Sequence, residues 1–482
     1  MKSKLKDNKI YRAIIIPICI ILCFVGQFIP SCGGFSSEAF GVLFIFIGVL
    51  ILWLTIGIDW PSLLCLLSLG FINSYGFAKV ITSSFGNTTF AFLLFTFVCT
   101  YALSKTSLIR RVAISFVNFK LAKKNIYFFT FFFLLACLLL GLFISPTVLF
   151  VILLPILNEI LDILKIEKSS RIAKILMLGL GFSVSISSGM TPIAHVFPVL
   201  AINAAGLEVS TFAYMGIAIP AGLILFLIMY FMLILFIRPD IKQLNYSEVE
   251  KLKEQLPKIN KKDIVVLSIF IIVLLLWIIP SLFEYIYPPF YEAFNTFGIV
   301  MPALLGSLSL CIIRIDNEPI IKIDDAFKNG VPWSSLIMCA ATLALGDAIK
   351  SDSIGIITYL QTNLGPSLNA LPGIALLIIF ACWAAIQTNL SSNMVTATLV
   401  GTVVSTVLLS TTSQVNLTAT ICIVGMLSSF AFATPPSMPH IAIISASESC
   451  TTKDVFIYGG ILMIFSIIVS LLISYPLGLL IF

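Results

Sequence analysis

The chain has 482 residues, of which 59% are hydrophobic and only 10% charged, and its net charge is +6. Soluble domains carry roughly 25% charged and 45–50% apolar residues, so a soluble globule, a disordered chain, a coiled coil and a secreted disulfide scaffold are excluded. The composition specifies an all-α polytopic membrane protein.

About 20 apolar residues cross a bilayer core. By that measure single helices are predicted at 12–30, 38–57, 61–77, 86–104, 212–237, 263–283, 295–314, 332–349 and 455–481. The first follows Lys2, Lys4, Lys6 and Lys9 and lacks a small-residue cleavage site, so it reads as an uncleaved helix. Four other stretches, 126–164, 173–206, 371–411 and 416–447, are long and apolar but interrupted near their middles by Ser, Thr, Pro, Gly or Asn. The polar segment 239–262 is the long soluble connection. Most of the 11 cysteines lie in apolar runs as small hydrophobes, with no Cys-x-x-Cys or Cys/His ligand spacing.

Positive charge sets the orientation. With the N-terminus inside, 126–164 and 371–411 each returning to the side they entered, and 173–206 and 416–447 each crossing once, the chain makes about 11 crossings. Of its 28 Lys and Arg, only Lys79 and Lys350 then lie outside and the other 26 inside. The expected protein is a multi-pass protein of the plasma (cell inner) membrane, with a cytoplasmic N-terminus and Phe482 outside. Its basic charge belongs to a cytoplasmic face beside lipid and implies no nucleic-acid partner.

The chain also repeats itself. Ala102–Leu108 resembles Ala348–Ile354, Ser145-Pro146-Thr147 falls against Ser392-Asn393-Met394, and Thr191-Pro192 against Thr434-Pro435. His195 falls against His440, and these are the chain's 2 histidines. All four offsets lie near 245 residues, and an odd number of crossings between equivalent points turns the second unit upside down. Inverted repeats with interrupted helices are the pattern of secondary transporters.

Ser145-Pro146, Thr191-Pro192 and Thr434-Pro435 each read as an N-cap followed by proline at the first helical position, and Ser392-Asn393 reads as a fourth helix start. Starts in mid-membrane leave N–H groups that must line a cavity or bind something, and an anion suits them best. Four of them offer at most about +2 of charge, matching a mono- or dianion. The stretches 126–158, 175–207 and 379–447 hold no Asp, Glu, Lys or Arg, which excludes an arginine clamp and a buried carboxylate relay there. The candidate substrate ligands are Ser145, Thr147, Thr191, Ser392, Asn393, Thr434, Pro435 and Ser437, with the symmetric His195 and His440. Asp347 reads as interfacial. Gly-x-Ser-x-Gly, an intramembrane Asp pair and nucleotide-binding motifs are absent, so the chain reads as no enzyme or pump. A passive channel is the rival of another class, and ion-dependent counterflow separates it from a carrier.

At these residues the sequence resembles the divalent-anion/sodium symporter family. The second signature stands as Thr388 to Met394 and the second loop as Ala433-Thr434-Pro435-Pro436-Ser437; Leu52-Trp53-Leu54-Thr55, Ala102–Ile109 and Pro332-Trp333 resemble scaffold segments. The resemblance implies two re-entrant hairpins (126–164 and 371–411) and two broken helices (173–206 and 416–447), while the residues alone leave each hairpin open as two full spans. It implies scaffold parts at 1–115 and 250–370 and transport parts at 116–249 and 371–482, a homodimer and an elevator-type mechanism. It implies sodium-driven symport of a di- or tricarboxylate or a sulfate-like anion; a proton-coupled or arsenite-type carrier is the alternative. One or two sodium ions are expected, on Thr388, Ser392, Asn393 and the Ala433 carbonyl at one site and on Ser145 and Ser188 at the other. Pro146 replaces the first signature's asparagine and Gly141 has no side chain, so the two sites are expected to be unequal. His195 is expected to substitute in part, with stimulation by mild acid.

Overall fold

The computed structural model describes residues 9–193, 195–240, 259–283, 287–363, 372–390, 392–411 and 415–482. Most of the predicted 239–262 connection lies outside the described residues. The predicted runs become helices, because an apolar backbone in lipid must satisfy its hydrogen bonds within its own segment, except that the predicted 61–77 helix ends at Gly70 and a separate helix starts at Gly76. The first unit opens with α1 (Lys9–Val25), α2 (Ser37–Thr55), α3 (Asp59–Gly70), α4 (Gly76–Ser83) and α5 (Thr88–Ser104). An amphipathic α6 (Leu108–Val117) precedes the hairpin α7 (Ile126–Gly141) and α8 (Pro146–Ile163). The interrupted pair α9 (Arg171–Met190) and α10 (Phe197–Ala204) follows, then the long α11 (Thr211–Ile237).

The second unit repeats this order. After α12 (Lys261–Leu282), α13 (Pro288–Asn295) and α14 (Val300–Ile312), a two-residue β-ribbon pairs Arg314 with Pro319 and Ile315 with Glu318. It is the only sheet among the described residues. Then come α15 (Ile323–Gly330), α16 (Trp333–Lys350) and α17 (Ile356–Asn363). The hairpin α18 (Gly373–Leu390) and α19 (Asn393–Leu409), the interrupted pair α20 (Leu417–Ser429) and α21 (Pro439–Ser445), and α22 (Thr452–Ile481) complete the chain. The predicted repeat is visible at element scale: α4 meets α5 at a bend of 42°, and their counterparts α15 and α16 meet at 79°.

Packing is reciprocal between the units. Helices α7 and α8 flank α9 as α18 and α19 flank α20, and α10 lies on α19 and α20 as α21 lies on α8 and α9. Each interrupted pair is thus held by its own hairpin and by the other unit. The fold is all-α and polytopic. Among the described residues five helices are long and apolar enough to cross a membrane, seven if each bent pair counts as one span, and six shorter apolar helices accompany them. On α1 the exposed Ile14, Ile18 and Ile21 face away from the buried Cys19 and Cys23, as a lipid-facing helix requires.

Polar contacts gather at two ends. At one, Arg110 pairs with Glu159 at 2.8 Å, Lys174 with Asp454 at 2.9 Å, and the Asp240 carboxylate accepts the first N–H groups of α9. At the other, Asp347 accepts the Tyr75 hydroxyl at 2.7 Å and lies 3.9 Å from Lys79. A cavity of about 810 Å³ opens at this second end between α5, α12, α14 and α16 on one side and α10 and α11 on the other, reaching from Lys350 to Pro192.

Two predicted helix starts are corrected. α9 continues to Met190, so Thr191 is an extended residue closing a helix, and α10 begins only at Phe197. Likewise Thr434-Pro435 opens a single 3-10 turn (Pro435–Ser437), and α21 starts at Pro439. In both loops the threonine hydroxyl is committed elsewhere, so it caps no helix.

Candidate functional site

The two hairpin tips do form the predicted starts. Ser145 precedes Pro146, the first residue of α8, and Ser392 precedes Asn393, the first of α19; neither serine side chain caps its own helix. The Ser145 carbonyl accepts the Leu149 N–H at 2.9 Å and the Ser392 carbonyl the Thr396 N–H at 2.9 Å, so the tips are built alike. Ser145, Thr147 and Ser392 are half-buried.

Each tip is tied to the break of its own unit by an equivalent bond. The Thr191 hydroxyl donates to the Leu142 carbonyl at 2.6 Å, and the Thr434 hydroxyl donates to the Asn389 carbonyl. In the second unit Asn389, fully buried, organises the loop. Its amide nitrogen donates to the Ala385 and Phe430 carbonyls, and its oxygen accepts the Phe432 and Ala433 N–H groups at 2.7 Å each. Thr388 donates to the Ser428 carbonyl at 2.6 Å, and Ser437 donates to the Thr434 carbonyl at 2.6 Å. These bonds satisfy the backbone that the missing helical turns leave free.

Asn393 differs from its neighbours. It is 4% exposed, and among the described residues neither its side-chain oxygen nor its nitrogen has a hydrogen-bond partner. A buried polar group left unsatisfied costs about 1–3 kcal/mol, which a bound ion or anion would remove. An amide offers an oxygen to a cation and an N–H to an anion at once.

The breaks of the two units also meet each other. His440 and the Ser185 hydroxyl lie 2.8 Å apart, and Ser185 donates to the Ala431 carbonyl at 3.2 Å. His440 is fully buried, and its ring lies 5.6 Å from that of Phe150. The His195 Nδ1 accepts the Val196 N–H at 3.0 Å, and its ring lies 3.8 Å from that of Phe197, tilted by 35°. Close approach needs glycine here. A Cβ on Gly181 would meet Ile441 and Ile444, and one on Gly425 would meet Pro198 and Ala201. Ser188 donates to the Ser185 carbonyl at 2.8 Å, while Ala433 is buried and Pro435 half-buried beside the 3-10 turn.

The structure therefore brings the predicted ligands of each unit to one tip and one break, and joins the two breaks through His440. Sequence reasoning missed the organising part of Asn389 and the Ser185 bridge. The signal for the first was present, since an amide one residue after Thr388 inside an apolar run needs partners. Among the described residues no group of His, Cys, Asp and Glu could hold a metal ion, so an ion here would rest on neutral oxygens, which suits a hard monovalent cation.

Hairpins that carry charge-free helix starts against interrupted helices in two repeated units define a secondary carrier of small anions. The chain belongs to the family described as the sodium:sulfate symporter transmembrane region, whose model matches residues 8–481. It is similar to the sodium-dependent dicarboxylate transporter SdcS of Staphylococcus saprophyticus, 25% identical over 98% of this chain and 93% of that protein. It is also similar to SdcS of Staphylococcus aureus, at 26% identity over 91% of this chain and 86% of the relative in strain RF122, and over 82% and 77% in strain USA300. The protein is thus a sodium-coupled anion symporter of the membrane and a transporter, not an enzyme.

Proposed function

We propose that the chain carries a small dicarboxylate dianion together with one or two sodium ions, moving the hairpins and interrupted helices as a unit against the remaining helices. The observation that carries this reading is the amide of Asn393, unpartnered among the described residues, at a hairpin tip within a stretch (379–447) that contains no Asp, Glu, Lys or Arg. Two helix starts of about +0.5 each neutralise only part of a dianion. Sodium bound at Thr388, Ser392, Asn393 and the Ala433 carbonyl supplies the remaining positive charge, and this makes anion binding depend on sodium. The relatives' dicarboxylate specificity favours a carboxylate pair over sulfate.

The moving unit consists of 116–249 and 371–482, and the scaffold of 1–115 and 250–370, which also forms a homodimer contact. Segregated polar contacts support the proposed sidedness: Arg110, Lys174 and Asp240 lie at the cytoplasmic end, and Lys79 and Asp347 at the outer end. Thermal unfolding of the purified protein, with dicarboxylates, citrate, sulfate, phosphate or arsenite in sodium or in choline, tests the reading. Stabilisation by a dicarboxylate only in sodium is expected. Equal stabilisation in choline, or by sulfate alone, would overturn it.

A further inference from the structure

We propose that Ser187 supplies the hydroxyl of a first sodium site, in place of the side chain that Gly141 lacks. The repeat frame is set by bonds and contacts. Thr191 Oγ1 to the Leu142 carbonyl matches Thr434 Oγ1 to the Asn389 carbonyl, which places position 141 opposite Thr388. Gly181 faces Ile441 and Ile444 as Gly425 faces Pro198 and Ala201, which places the Val184 carbonyl opposite that of Ser428.

In the second unit the hydroxyl of Thr388, on the hairpin, donates to the Ser428 carbonyl. In the first unit the matching hairpin residue is glycine, yet the matching carbonyl is not left without a hydroxyl. Ser187 Oγ donates to the Val184 carbonyl at 2.9 Å. That oxygen lies 1.9 Å from where a Cβ on Gly141 would stand. A hydroxyl is thus present in the same place in both units, bonded to equivalent carbonyls, but the first one arrives from the interrupted helix.

Donation to the carbonyl uses the hydroxyl's one proton and leaves its lone pairs free for a cation. Ser187 is fully buried, and the stretches 126–158 and 175–207 that carry the first tip and break hold no Asp, Glu, Lys or Arg, so a sodium ion there would meet hydroxyl and carbonyl oxygens of these segments. The half-buried hydroxyl of Ser145 at the same tip and carbonyls of the 188–191 break are the remaining donors. Pro146 still lacks an amide, so this site is the weaker of two.

The assignment rests on sodium coupling, and its test separates the two ideas. Thermal unfolding of the purified protein is titrated with sodium chloride against choline chloride, without substrate, beside sodium-dependent succinate uptake in proteoliposomes. Ser187→Ala is expected to raise the sodium concentration for half-maximal stabilisation of the weaker phase about tenfold, and to bring the Hill coefficient of uptake to about 1. Ser187→Cys keeps the volume but offers sulfur, a poor sodium ligand, and should do the same. The double substitution Gly141→Ser with Ser187→Gly returns the hydroxyl to the hairpin and should recover both readouts. Sodium curves of Ser187→Ala and Ser187→Cys within about twofold of wild type, while Thr388→Val is shifted, would overturn the assignment and leave sodium coupling intact. A wild-type protein indifferent to sodium would overturn both.

Discussion

Asn389 and Asn393 stand one helical turn apart in sequence and do opposite things. Asn389 spends its amide on the backbone of the second break, whereas Asn393, equally buried, spends nothing. The difference follows from position: Asn389 ends a helix beside the loop that needs partners, and Asn393 begins one at a tip. Asn393→Ala removes the unpartnered amide without breaking a protein hydrogen bond. It is therefore expected to leave the unfolding temperature unchanged or slightly raised, while sodium-driven uptake falls at least tenfold at matched expression, a loss of about 1.4 kcal/mol or more. Uptake within twofold of wild type would place the ligand site elsewhere.

At the scale of elements, the two interrupted helices support each other through glycine. The contacts are equivalent by repeat but unequal in kind. A Cβ on Gly425 would lie 2.9 Å from the Pro198 Cα, in backbone that cannot move without displacing α10. A Cβ on Gly181 would lie 2.0 Å from the Ile444 Cδ1, the end of a flexible side chain that can rotate away. Gly425→Ala is therefore expected to destabilise the protein by about 1–3 kcal/mol through overpacking, and Gly181→Ala by clearly less. Thermal unfolding of the two variants in one detergent checks the order, and the reverse order would mean that α10 yields more easily than Ile444. The same elements show why two predicted starts failed: Thr191 and Thr434 hold hairpin carbonyls, so the helices resume only at Phe197 and Pro439.

For the whole molecule the decisive quantity is where charge lies. Placing 26 of the 28 basic residues on one side requires the segment 239–262 to be cytoplasmic. A cysteine introduced there in a background without the native cysteines is expected to resist a membrane-impermeant thiol reagent added to intact cells and to react after permeabilisation. Reaction in intact cells would invert the topology and place the cavity between Lys350 and Pro192 on the cytoplasmic side. In the proposed orientation that cavity opens outward, between the helices that move and those that stay.

Apolar helices, hairpin limits and the repeat were legible from residues 1–482, because lipid forces backbone bonding within each segment and an apolar run therefore reports a helix directly. The predicted hairpins 126–164 and 371–411 agree with the observed arms to within about two residues at each end. Polar side chains in the same runs were harder to assign, since a serine or asparagine in an apolar stretch has the same identity whether it ties a loop, bridges the repeats or stays free. Only tertiary structure decided that Asn389 is consumed and Asn393 is not, and that Ser185 joins His440. It alone brought the Ser187 hydroxyl to the place left open by Gly141. These outcomes depend on which carbonyl comes within about 3 Å of which hydroxyl, a distance set by how α9 and α20 cross and not by spacing along the chain.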